Sequence, residues 1–209
     1  MAKAYNTLTS ASPGEGKSTA SLALARNFSE LGRRVLLIDA DMRNPSLHKK
    51  MALDNAIGLS NFLAGAASLT DVLHYTEMVG LAVISTGPLP PNPAELLHDD
   101  NMRRLLDEGS ELYDLVIIDG PPVMGLADAP ILANIAEGVL LVVQAGATRK
   151  TLALNAVKRL QAARAQIVGV LINKFEPKHA SYGYYGKDTG YGDFSYYTAG
   201  EAGHKRLGS

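Results

Sequence analysis

The segment "ASPGEGKST", residues 11–19, gathers two glycines, a lysine and three hydroxyl residues within nine positions. Gly14 and Gly16 permit a backbone curl in which successive N–H groups point inward, as a polyphosphate requires. Lys17 then supplies a cation for the β- and γ-phosphates, and the Ser18 hydroxyl a ligand for Mg2+. Ser12, Pro13, Glu15 and Thr19 complete the cradle, with Ala11 where the phosphate-loop pattern usually begins on glycine. A glycine-rich turn capped by Ser18 is the plainer reading. The length of the pattern, between an apolar run and a helix-like stretch, argues against it.

Acids follow at two further places. "VLLIDADMR" carries Asp39, Asp41 and Arg43, and "LVIIDGPP" ends its apolar run on Asp119. One aspartate at a strand end is ordinarily a turn or cap residue. Three of them, together with a phosphate loop, point to a Mg–nucleotide site. Asp39, Asp41 and Asp119 are then expected to share Mg2+ and to accept a proton, Asp119 resembling the metal-holding acid of P-loop proteins. The metal set is Ser18, Asp41 and Asp119. Arg43 is placed to touch phosphate or to pair with Asp41. Asn173, ending the last apolar run, either meets an adenine, by analogy with related P-loop ATPases, or caps its strand. None of the five histidines has a recognisable ligand spacing.

These groups must be held at the carboxyl ends of parallel strands, because the ligand crevice of an α/β sheet opens there. Apolar runs predict strands over 5–9, 35–39, 81–85, 115–119, 139–143 and 167–172. The runs "VLLID", "LVIID" and "VLLVV" are apolar almost throughout, as strands buried on both faces are. Helical spacing predicts helices over 18–31, 93–107 and 149–164, and one or two shorter ones within 57–75. The expected fold is α/β, a doubly wound, mostly parallel sheet of the P-loop NTPase type flanked by helices. Residues 1–177 form its body. After Phe175 the chain has no Leu, Ile, Val or Met until Leu207, so 178–209 is expected to be a flexible tail.

Composition narrows the partners. The 209 residues suit one domain, and 46% hydrophobic with 20% charged residues is ordinary for a globular protein. A formal net charge of −1 gives no electrostatic reason to expect nucleic acid. With no cysteine there is neither a disulfide nor a thiolate metal site, which fits a reducing compartment. No apolar run is long enough to span a bilayer and no signal peptide precedes the first strand, so a soluble, cytoplasmic chain is expected.

The tail poses a separate question. Its segment "YGYYGKDTGYGDFSYY", 182–197, holds six of the nine tyrosines: Tyr182, Tyr184, Tyr185, Tyr191, Tyr196 and Tyr197. Taken alone this composition says only that the segment is disordered and tyrosine-rich. A phosphate loop, "LLIDADMR", "GPLPPNPAELL" at 87–97, "IIDGPP" and a tyrosine-rich tail, in that order, resemble the bacterial tyrosine kinases of capsule and exopolysaccharide export. The resemblance implies an ATP-dependent autokinase with Mg2+, whose phosphoacceptors are the tail tyrosines. It implies Lys17, Asp39, Asp41 and Asp119 as the catalytic set, with Asp39 or Asp41 nearest the incoming hydroxyl and Asp119 on the metal side. It also implies a transmembrane activator, a polysaccharide co-polymerase segment either fused or separate, and an opposing phosphatase. A homo-oligomer is expected in the activator-linked form, at the inner face of the bacterial plasma membrane.

Two other classes share parts of this pattern. A Min- or Par-type P-loop ATPase has the same architecture and the acid after the second strand. Such proteins usually carry a second lysine early in the loop, where this sequence has Ser12, and they lack a tyrosine tail. A nucleotide-sensing adaptor would use the tail only to dock partners. Transfer of label from ATP to protein separates the kinase from both.

Overall fold

The computed structural model describes residues 5–176. Complete burial falls where the sequence is apolar throughout. "VLLID" forms β2 (Val35–Asp39), buried along its whole length, and "LVIID" forms β5 (Leu115–Asp119), buried from Val116 onward. The two strands pair in parallel with Asp39 opposite Asp119. On the other side of β5 lies β1 (Tyr5–Ser10), which pairs Leu8 with Asp119. This register sets Asp39 and Asp119 side by side at the carboxyl ends of β2 and β5, while β1 runs two residues further, to Ser10.

The sheet is completed by β4 (Leu81–Ile84), β6 (Gly138–Gln144), β7 (Ile167–Asn173) and the short β3 (Leu73–Tyr75). Its order is β3-β4-β2-β5-β1-β6-β7, parallel except for β3. From β1 the chain winds to β2 on one side, and after β5 it crosses to β6 on the other. The loops leaving β1 and β5 therefore flank the point where the winding reverses, which is where such sheets open a crevice.

Side chains alternate across each strand and so feed two layers. Leu36, Ile38, Val116 and Ile118 pack with Phe62 of α3 (Leu59–Leu63) and with Met102 and Leu105 of α6 (Asp100–Leu112). Val35, Leu37 and Ile117 face the other way, onto Leu22 and Ala25 of α1 (Lys17–Glu30). A third cluster joins Val139 and Leu141 of β6 to Ala156 and Leu160 of α8 (Lys150–Ala162). Helix α1 begins straight after Gly16, whose φ of 92° leaves the loop in a left-handed turn.

The expected strands and the helices α1 and α8 are present with ends shifted by a residue or two. Residues 93–107, expected as one helix, form α5 (Pro93–His98) and α6 instead. Asp99 divides them. Its backbone is extended (φ −66°, ψ 154°), and its carboxylate accepts the Asn101 N–H at 2.8 Å. An aspartate that caps a helix competes with helix continuation. The segment 57–75 holds α3 and α4 (Leu69–Val72), but it ends in β3, antiparallel to β4, which sequence periodicity did not indicate. Two further helices, α2 (Leu47–Met51) and α7 (Asp128–Ile135), also escaped it. The tail and its six tyrosines lie outside the described residues.

Candidate nucleotide site

The loop between β1 and α1 brings Lys17 and Asp41 into contact, with Lys17 Nζ 2.7 Å from Asp41 Oδ2. Both side chains are nearly buried. Burial works against the Lys17 ammonium, but the Asp119 and Asp41 carboxylates outweigh it and hold its pKa above the ordinary lysine value. The cation is therefore fixed and fully charged at the head of the helix. Lys17 Nζ also lies 3.4 Å from Ser18 Oγ.

The acids take different surroundings. Asp39 Oδ2 accepts the N–H groups of Ser46 at 3.1 Å and Leu47 at 2.9 Å, at the start of α2, and Oδ1 accepts the Asp41 N–H at 3.3 Å. Its carboxylate organises the 40–47 turn, and burial raises its pKa. Asp41 Oδ1 accepts only the Asn44 N–H, at 3.2 Å, and Asp41 lines the open crevice beside Pro13 and Gly14. Asp119 is wholly buried; Ser21 Oγ lies 3.1 Å from its Oδ1, whereas its Oδ2 has no protein partner. Burial pushes the Asp119 carboxyl up to about 7, against the pull of Lys17.

An orphaned carboxylate oxygen in the interior normally has an ion or a water to complete it. Asp119 and Ser18 fit Mg2+, which takes few protein oxygens and fills its octahedron with water and phosphate. Among the described residues no three His, Cys, Asp or Glu side chains form a metal cage. Beside them a cavity of 280 Å³ is walled by Gly14, Gly16, Ser18, Thr19 and the lysines Lys17, Lys50 and Lys174, with no acid in its lining. That chemistry suits a polyphosphate. Larger hollows of 480 and 410 Å³ lie on other faces and contain no P-loop residue.

The other polar groups of the loop are tied to distant parts of the chain. Glu15 is buried, but its carboxylate turns away from the cradle. It accepts the Ser12 N–H at 2.8 Å on Oε2 and the Thr148 hydroxyl on Oε1, and so shapes the loop from behind. Asn173 donates from Nδ2 to the Glu15 carbonyl at 2.9 Å, fastening the end of β7 to the loop. A Cβ on Gly16 would displace that Asn173 nitrogen, and the φ of 92° is one that L side chains rarely adopt. Arg43 lines the crevice but does not pair with Asp41. Its Nε lies 2.7 Å from Oδ2 of the buried Asp128 at the start of α7. Pro13 and Thr19 stand at the exposed rim.

Sequence reasoning missed Lys50, Lys174, Thr148 and Asp128. Lys174 Nζ donates to the Gly14 carbonyl at 2.7 Å, and Lys50 Nζ to Thr19 Oγ1 at 3.2 Å. Only Lys174, directly after Asn173, stood near a residue already singled out.

A phosphate loop at the switch point of a parallel sheet, with strand-end acids beside it, defines a P-loop NTPase-type nucleotide-binding protein. A family model described as an AAA domain matches residues 7–174. The chain is 43% identical over 180 residues to tyrosine-protein kinase YwqD of Bacillus subtilis, covering 86% of this chain and 76% of that protein. It is 38% identical over 167 residues to tyrosine-protein kinase etk of Escherichia coli K12, covering 79% of this chain but 23% of that longer protein. The solved kinase domain of Escherichia coli tyrosine kinase ETK superposes with a TM-score of 0.79 at 35% identity, over 87% of this chain and 72% of that one. The chain belongs to the bacterial tyrosine kinase family. The septum site-determining protein MinD of Pyrococcus horikoshii, solved with Mg-ADP, aligns at a TM-score of 0.69 over 85% of this chain and 75% of that one; at 24% identity the likeness is one of fold alone.

Proposed function

We propose that the chain is an ATP-dependent protein-tyrosine autokinase that phosphorylates its own C-terminal cluster, Tyr182, Tyr184, Tyr185, Tyr191, Tyr196 and Tyr197. ATP with Mg2+ supplies the phosphoryl group. One observation carries the reading: the 2.7 Å Lys17–Asp41 pair stands between a cationic cavity and an open crevice, in a kinase-family chain whose residues 182–197 include six tyrosines. Lys17 places positive charge where phosphate charge must be borne, which is the larger part of phosphoryl-transfer catalysis. Gly14, Gly16, Ser18 and Thr19 cradle the phosphates, while Ser12 and Glu15 hold the cradle's curl. Ser18 and Asp119 hold the metal ion. Asp41, which faces the crevice, accepts the phenolic proton, and Asp39 sets the turn that aims it.

The family supports a wider setting, in which this domain regulates capsule or exopolysaccharide polymerisation and export. A transmembrane activator segment brings it to the inner face of the plasma membrane, and the match to only 23% of etk is what a kinase portion of a longer protein gives. Self-association accompanies that linkage, and a protein-tyrosine phosphatase resets the tail.

The test is intact-mass spectrometry after incubation with Mg-ATP, followed by peptide mapping. Phosphate on 182–197 is expected in the wild type and its loss in Lys17→Met. Undiminished labelling in Lys17→Met would sink the mechanism, and hydrolysis without transfer would favour a Min- or Par-type ATPase.

A further inference from the structure

We propose that the 410 Å³ groove between α7 and the end of α8 binds phosphotyrosine, and that its occupant is this chain's own segment 182–197 once that is phosphorylated. The proposal rests on the kinase reading above, but the groove lies on a face that contains no P-loop residue. Three basic side chains, His98, Arg103 and Arg164, line it, and no acidic one does. Its apolar lining includes Pro130, Ile131 and Ile135 of α7. Such a lining asks for an anion that carries apolar bulk. Phosphotyrosine has both parts, a ring for the apolar wall and a phosphate whose oxygens a guanidinium takes in pairs.

The basic groups come from three separate elements. His98 ends α5, Arg103 stands in the first turn of α6 behind the Asp99 cap, and Arg164 follows the end of α8. All three are exposed. Asn134 Nδ2 donates to the Ala163 carbonyl at 2.8 Å, which fastens α7 to the end of α8. Arg164 stands at φ 61°, just past a helix end, where glycine or asparagine is usual. Its N–H donates to the Gln161 carbonyl at 2.9 Å, and Ala165 N to the Leu160 carbonyl at 3.0 Å, so the turn is held in spite of the residue. A long cationic side chain kept in a left-handed backbone points to a use for that side chain.

Reach and charge single out the occupant. Tyr182 and Tyr197 follow Glu176 by six and 21 residues. At about 3.4 Å per residue the outer tyrosine reaches about 70 Å, against a width of about 40 Å for a body of this size. Unmodified, the segment sets Lys187 against Asp188 and Asp193 and offers the arginines little. Phosphorylated, it becomes strongly anionic. A tether of this length gives a local concentration of about millimolar, so capture within one chain prevails over capture between chains at micromolar protein. The groove thereby draws the product of the reaction away from the acids of the nucleotide site.

The experiment titrates fluorescent peptides of sequence 182–197 into the full-length Lys17→Met chain by anisotropy. One peptide is unmodified, one carries phosphate on all six tyrosines, and one has six phosphoserines in their place. The phosphotyrosine peptide should bind about tenfold more tightly than either of the others, since only it has both charge and ring. Arg103→Ala and Arg164→Gly should each weaken it about tenfold, the order of a lost charge-assisted pair, whereas Arg33→Ala on another exposed turn should leave it unchanged. Arg164→Gly should also hold or raise the melting temperature, because glycine adopts that backbone freely; a merely structural arginine would show the opposite. Wild type phosphorylated beforehand with Mg-ATP should bind the phosphotyrosine peptide about tenfold more weakly than Lys17→Met, its own segment being already seated. Equal affinity for the three peptides, unchanged binding in both arginine variants, displacement of the peptide by Mg-ADP, or full affinity in the phosphorylated wild type overturns the proposal. If the wild type forms no phosphotyrosine the kinase reading falls, while the titration of Lys17→Met with synthetic peptide still decides whether the groove takes phosphotyrosine.

Discussion

At the scale of single residues, the site depends on groups whose neighbours decide their state. Asp119 shows this most sharply, because burial raises its folded pKa to about 7 from an unfolded value of about 3.9. For an acid raised in this way, the stabilising contribution is complete below the unfolded pKa and is lost as pH climbs through the folded one. In metal-free and nucleotide-free buffer the wild type should therefore lose stability between about pH 4 and about pH 7. Asp119→Asn cannot ionise and should gain relative to the wild type over that window. Urea denaturation at about pH 5 and about pH 8 checks it; a stability difference independent of pH would refute the assignment. Gly16 is constrained by its φ of 92°, and a Cβ there would also push aside the Asn173 side chain. Gly16→Ala should weaken binding of an ATP analogue by about five- to a hundredfold, since the strain of about 1–3 kcal/mol distorts the cradle itself. Titration by fluorescence anisotropy reads this directly, and unaltered affinity would show that the loop relaxes without cost.

At the scale of elements, short polar signals set where helices stop, and the sheet sets how the site is assembled. Asp99 ends α5 and caps α6 in one residue. Asp99→Ala should cost about 1 kcal/mol, a lost N-cap, and lower the melting temperature by a few degrees. Calorimetry checks it. Nucleotide affinity should not move, because Asp99 lies outside the P-loop and both cavities that meet at Lys17. A drop of similar size in the far-removed Asp54→Ala, whose carboxylate bonds only the exposed Asn55 and Ala56 amides, would argue that capping is not the cause.

For the whole molecule, the balance of charge between tail and site is the main lever. Each phosphotyrosine adds about −1.5 to −2 charges, so six would place roughly −9 to −12 on the segment 182–197. Asp39, Asp41, Asp119 and bound nucleotide should repel such a segment. Subunits are accordingly expected to associate through the unphosphorylated tail and to separate as phosphate accumulates. Light scattering on activator-linked protein, comparing Lys17→Met with the fully phosphorylated wild type, reads the outcome. Equal or greater association after phosphorylation would refute it.

The sequence by itself determined the nucleotide chemistry and most of the sheet, for local reasons. The curl of Gly14 and Gly16, the charge of Lys17 and the all-apolar "VLLID" and "LVIID" are written in neighbouring residues. Tertiary structure decided what depends on contacts between distant parts of the chain. Arg43 turned to Asp128, 85 positions away, rather than to Asp41 beside it. Glu15 found Thr148, and Asn173 found the Glu15 carbonyl, across 133 and 158 positions. Asp39 and Asp41, two residues apart and alike in sequence, parted because the turn into α2 offers amides to one and leaves the other facing the crevice. The strand β3 exists because the edge of β4 offered it partners, and three residues carry no period that would announce it. Spacing along the chain can say which groups are present. Which of them meet is settled by the register of β1, β2 and β5 and by the loops packed over their carboxyl ends.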